Sequence, residues 1–147
     1  MTRGLCLLLL AGCVGSDPAV STPAADAGDD ASPGASCAKR SGTFVSSFTE
    51  KVGTCGAYRT IAGSDDQTET YADQPSAPSA PCAGAFTYSA NNCAQTIETS
   101  CPSTDPGTTL TTRGTLTWNE SGTKATGDLE VSTSKCKSTY AVITSKR

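Results

Sequence analysis

The residues best suited to chemistry in this chain are eight cysteines, at positions 6, 13, 37, 55, 82, 93, 101 and 136. A thiolate can bind zinc, attack an electrophile or pair into a disulfide, and its neighbours decide which. The chain has no C-x-x-C pair and no histidine, which argues against a zinc site and leaves a thiol nucleophile without an imidazole to activate it. A serine nucleophile lacks the same base, and G-x-S-x-G is absent. Asp65, Asp66, Glu69 and Asp73 lie close together, but their spacing is not that of an EF-hand, and they read as solvated loop charges. No cofactor motif is present, and the chain reads as something other than an enzyme.

Composition narrows the partners. Residues 37–147 carry ten acidic and ten basic side chains, while Asp17, Asp26, Asp29 and Asp30 account for the excess negative charge. A neutral domain with few aromatic residues lacks the basic stripe that grips phosphates, which argues against nucleic acid. Lys124, Lys135, Lys137, Lys146 and Arg147 gather toward the C-terminus, where they would guard strand edges or touch anionic headgroups. Trp118, the only tryptophan, is expected to serve the core before any ligand.

The elements that position these groups begin at the N-terminus. Arg3 followed by the apolar run Leu5 to Leu10 suits a signal peptide and is too short to span a bilayer. It ends at Leu10-Ala11-Gly12-Cys13, which resembles the lipobox of bacterial lipoproteins. The resemblance implies cleavage after residue 12, a diacylglycerol thioether on Cys13, and acylation by several chains, enough for a stable membrane anchor. By the sorting pattern of enterobacterial lipoproteins, Val14 favours the outer membrane. The chain also looks like the small, cysteine-bearing, Thr-rich predicted lipoproteins of high-GC Gram-negative bacteria, which implies an envelope location and no mechanism.

Residues 13–36 are almost entirely small or acidic and cannot bury enough surface to offset ordering, so they read as a disordered linker. From Cys37 to Arg147 the sequence turns β-rich. Leu110, Thr112, Gly114, Leu116 and Trp118 alternate with polar residues, as do Ala125, Gly127, Leu129 and Val131, with a tight turn at Asn119 to Gly122 between them. A third strand runs from Lys137 to Ile143, completing a meander. Thr43 to Glu50 and Ala94 to Thr99 are two more candidates, giving about five strands. Gly114 and Gly127 fall nearly opposite each other, which predicts a curved sheet, even a partial barrel, with a ring such as Tyr140 over bare backbone. Thr60 to Pro81 reads as one long, extended or disordered loop.

These elements predict a tethered envelope module that binds a protein, glycan or lipid; a small protease inhibitor or small-ligand carrier is the alternative. With Cys6 leaving in the signal and Cys13 lipidated, Cys37, Cys55, Cys82, Cys93, Cys101 and Cys136 remain, an even set that admits fifteen connectivities. If all six pair, Ellman titration of the purified, denatured domain will detect no free thiol before reductant is added. Any thiol found there would count against three bridges.

Overall fold

The computed structural model describes residues 35–147. The lipobox, Cys13 and nearly all of the linker lie outside the described residues. In chain order the elements are β1 (Gly42–Gly53), α1 (Arg59–Ala62), β2 (Asp66–Tyr71), β3 (Ala83–Tyr88), β4 (Ala94–Pro102), β5 (Thr109–Trp118), β6 (Lys124–Ser132) and β7 (Lys137–Lys146). The strands form one sheet, ordered β2-β1-β7-β6-β5-β4-β3, in which every neighbouring pair is antiparallel.

The alternation read from the sequence sets the inner face. Leu110, Thr112, Leu116 and Trp118 of β5, Ala125, Leu129 and Val131 of β6, and Tyr140 and Val142 of β7 are all buried. Phe44 of β1 and Ile97 of β4 join them. The turn at Asn119 to Gly122 forms as expected, with Gly122 at φ 65° and its N–H donating to the Asn119 carbonyl at 3.0 Å. Burial of one face curls the sheet into a half-barrel whose inner side holds the core.

Among the described residues seven strands replace the expected five, because β2, β3 and α1 occupy stretches that lack an apolar alternation. Strand β2 turns Gln67, Glu69 and Tyr71 toward the inside, so its inner face is mainly polar. Strand β3 is short and small-residued, with Phe86 and Tyr88 as its larger side chains. The single turn of α1 buries Ile61 and ends at Gly63, which takes the left-handed conformation at φ 84°. The segment expected to be one loop from Thr60 to Pro81 is therefore reduced to residues 72–82.

Both ends of the half-barrel are plugged. At the end where the described chain begins, the Cys37 N–H donates to the Asn91 carbonyl and the Ala38 N–H to the Glu120 carbonyl, each at 2.8 Å. Cys37 is bonded there to Cys93. At the opposite end α1 lies across the opening, its Ile61 carbonyl accepting from Ser103 Oγ at 3.0 Å and from the Thr104 N–H at 3.3 Å. Two more disulfides, Cys55–Cys136 and Cys82–Cys101, tie the strand ends on that side.

The curvature has a different device from the one expected. Gly114 pairs with Leu129, and Gly127 with Leu116, so each glycine faces a leucine rather than a second glycine or the ring of Tyr140. A Cβ on Gly127 would lie 2.2 Å from the Thr115 carbonyl oxygen and 3.0 Å from Leu116 Cδ2. The bare backbone lets β5 and β6 approach closely enough for the leucines to fold over it. Gly127→Ala should lower stability by about 1–3 kcal/mol, the usual range for overpacking, measured as a shift of the urea midpoint at unchanged slope.

Candidate functional site

The inner face does not pack solid. A cavity of about 150 Å³ lies inside the half-barrel. Ile97, Leu116, Leu129 and Val142 form an apolar floor, and Phe48, Tyr58 and Trp118 stand as aromatic walls. Ser46, Gln67, Glu69, Gln95, Thr99, Thr112 and Thr144 supply the polar groups. Several of these are already engaged: Trp118 Nε1 donates to Gln95 Oε1 at 2.8 Å, and Ser46 and Thr144 share a hydroxyl hydrogen bond of 2.7 Å. Among the described residues Glu69 is the one acidic side chain in the lining; its Oε2 accepts from Ser79 Oγ at 3.0 Å.

The opening lies on the side, between β2 and β3. Six antiparallel steps separate them in the sheet, so they run in the same direction, and residues 72–82 must cross from the end of one to the start of the other. This strap occupies the place of an eighth strand without becoming one. Pro75, Pro78 and Pro81 remove the N–H groups that a ladder needs. Among the described residues a single backbone hydrogen bond, from the Phe86 N–H to the Ser76 carbonyl at 3.0 Å, joins the strap to a flanking strand. A second hollow, of about 300 Å³, lies against the strap and shares Glu69, Tyr71 and Phe86 with the interior cavity. Those three side chains are the partition between the two spaces.

Arg40 secures the strap at the entry end. Its side chain is fully buried, stacked 4.5 Å from the Trp118 ring and 5.0 Å from that of Tyr88. One Nη donates to the Asn92 carbonyl and the other to Gln74 Oε1 at 2.9 Å, while Gln74 Nε2 donates to Asn92 Oδ1 at 3.0 Å. No carboxylate pairs with Arg40 among the described residues, and burial draws its guanidinium below its ordinary pKa. The aromatic faces and two neutral acceptors hold the charge instead. At the opposite end Phe48 and Tyr58 stack at 3.9 Å, Tyr58 meets Tyr140 edge-on, and Tyr140 Oη donates to the Gly56 carbonyl at 2.6 Å.

The residues singled out in the sequence separate. Cys37, Cys55, Cys82, Cys93, Cys101 and Cys136 all pair, and Cys13 lies outside the described residues. Of the four neighbouring acids, Asp65 pairs with Arg59, Asp66 accepts from Ser47 Oγ at 2.5 Å, and Asp73 lies 3.7 Å from Lys39. Only Glu69 reaches the cavity. The C-terminal cations do not gather: Lys135 and Lys137 pair with Asp105 and Glu130 near the α1 end, whereas Lys124, Lys146 and Arg147 sit at the entry end. Trp118 is both core, at 1% exposure, and cavity wall. Arg40, Gln95 and the inward polar face of β2 escaped the sequence reading, and the polar alternation of Gln67 and Glu69 was the available signal. The chain matches no protein-family model, no curated protein and no solved structure.

All four tyrosines are held above their ordinary pKa, in each case chiefly by burial: Tyr58 and Tyr88 are pushed up to about 12, and Tyr71 and Tyr140 also move upward. An unfolded tyrosine ionises near pH 10, so from there upward the unfolded chain releases protons that the folded one retains. The stability contributed by keeping these phenols neutral is complete below about pH 10 and is lost as pH rises through about 12. Absorbance at 295 nm should show little phenolate at pH 10.5 in the native protein, with ionisation arriving together with loss of near-ultraviolet dichroism. Ionisation of all four tyrosines near pH 10 in folded protein would contradict this assignment.

Proposed function

We propose that this chain is a lipid-anchored, ligand-binding module of the cell envelope, tethered through Cys13 and the linker, with one small molecule held inside the half-barrel. The observation that carries the reading is the side seam: an amphipathic cavity lies behind a strap that takes the place of a strand but makes one backbone hydrogen bond to its neighbours among the described residues. Ligand sites combine an apolar wall with a few fixed polar groups, which is the composition of this lining. The volume, about 150 Å³, is that of a space known to accept a benzene-sized molecule. When empty, its polar rim would hold water, and a ligand with an apolar body would displace that water from the aliphatic floor.

Both ends are sealed by buried side chains and disulfides, which supports entry past the strap. The strap is bound at its start through Gln74 and at its finish by Cys82–Cys101, while its middle is held by two hydrogen bonds, at Ser76 and Ser79, that must break for it to lift. Rotation of Tyr71 or Phe86 in the partition would join the interior to the outer hollow and admit a longer molecule. The disulfides and the lipobox resemblance together favour an extracytoplasmic location.

Trp118 is the only tryptophan and stands in the wall, so its emission reports occupancy. Benzyl alcohol should shift that emission saturably. Thr99→Phe, which places a ring in the cavity where the threonine side chain makes no hydrogen bond to a described residue, should abolish the shift in protein with native dichroism. A linear response to benzyl alcohol, unchanged by Thr99→Phe, would rule out the cavity as a binding site.

A further inference from the structure

We propose that the ligand is a small organic cation, an ammonium group on an apolar or aromatic body, with Glu69 as its counter-charge. This assignment rests on the cavity being the ligand site and adds the chemical class. Glu69 is, among the described residues, the sole acidic side chain in the lining, and neither lysine nor arginine lines the space. Among the described residues no cation forms an ion pair with it. Its one side-chain partner, the Ser79 hydroxyl, is neutral, donates to Oε2 alone, and belongs to the strap. A half-buried carboxylate with a neutral donor on one oxygen keeps acceptor capacity on both oxygens.

The surrounding surface suits the same charge. Tyr71 and Phe86, which with Glu69 form the partition, present ring systems whose faces are negative, whereas the Trp118 ring farther in already carries Arg40. Arg40 stacks on Trp118 from the plug; its charge reaches Tyr71, but it does not line the cavity and among the described residues forms no ion pair with Glu69. An anionic ligand would find no cationic partner in the lining and would face Glu69 directly. A neutral ligand would leave the carboxylate without a charged partner in a partly desolvated wall. An ammonium group at the partition can satisfy Glu69 while its body rests on Leu116, Leu129 and Val142. Glu69 is also where the strap is fastened, so a cation that engages it competes with Ser79 for the same carboxylate.

The test uses the full-length exported protein in mild detergent and three probes of matched size, benzylammonium, benzyl alcohol and benzoate, titrated at pH 7 with Trp118 emission as readout. Benzylammonium should bind at least about tenfold more tightly than benzyl alcohol, and benzoate the most weakly. Glu69→Gln should reduce the ratio of benzylammonium to benzyl alcohol affinity to about one, with native near-ultraviolet dichroism as the folding control. In the unsubstituted protein, added salt should weaken benzylammonium binding and leave benzyl alcohol binding nearly constant. Equal affinity for the two probes, a preference that survives Glu69→Gln, or tighter binding of benzoate would each overturn the cation assignment while leaving the cavity as a ligand site. Saturable binding of none of the three would overturn both readings.

Discussion

Seven strands that alternate in direction cannot close into an all-antiparallel ring, because an odd count leaves two neighbours at the seam that point the same way. That parity is the constraint on which the rest of the molecule depends. It falls between β2 and β3 and obliges the connection between them to cross the length of the barrel. A regular strand in that crossing would have completed an eight-membered barrel and sealed its interior. Three prolines keep it irregular, so the seam is covered without being laddered, and the cavity behind it has a side wall of a different kind from the others.

A core this thin needs support at its margins, and the disulfides and aromatic groups are concentrated there. Cys37–Cys93 and the Arg40–Trp118 stack close one end; Cys55–Cys136, α1 and the Phe48–Tyr58–Tyr140 cluster close the other. Cys55–Cys136 joins residues 81 apart in sequence, at the junction of the first and last strands, where loop closure restricts the unfolded chain most. Cys82–Cys101 spans 19 residues and holds the end of the strap against β4. Rigid ends with a loosely fastened side allow the interior to stay unfilled while the fold remains defined.

The sequence made β5, β6 and β7 plain because each alternates large apolar with polar residues, and only one register buries that set. It concealed β2 for the same physical reason: Gln67 and Glu69 point inward, so a strand facing a cavity looks like a charged loop. The glycines of β5 and β6 signalled curvature correctly, but the register that pairs each with a leucine is set by the exact length of the loop between Trp118 and Ala125. Arg40 carried no local sign of its role, since its partners come from 34 and 52 residues downstream and from aromatic rings on β3 and β5. Disulfide pairing was likewise closed to sequence, because it depends on which strand ends the curl brings together.

The bond between Cys37 and Cys93 also has a mechanical meaning. Strand β1 begins at Gly42, five residues beyond Cys37, and its ladder with β7 joins the first and last strands of the chain inside the sheet. Tension applied to the chain ahead of residue 37 therefore reaches a covalent cross-link to the β3–β4 turn before it reaches β1. The load is diverted into the opposite flank of the sheet, and β1 is spared from being unzipped from its end. A pull on the domain from its N-terminal side would thus leave its first strand outside the path of the load.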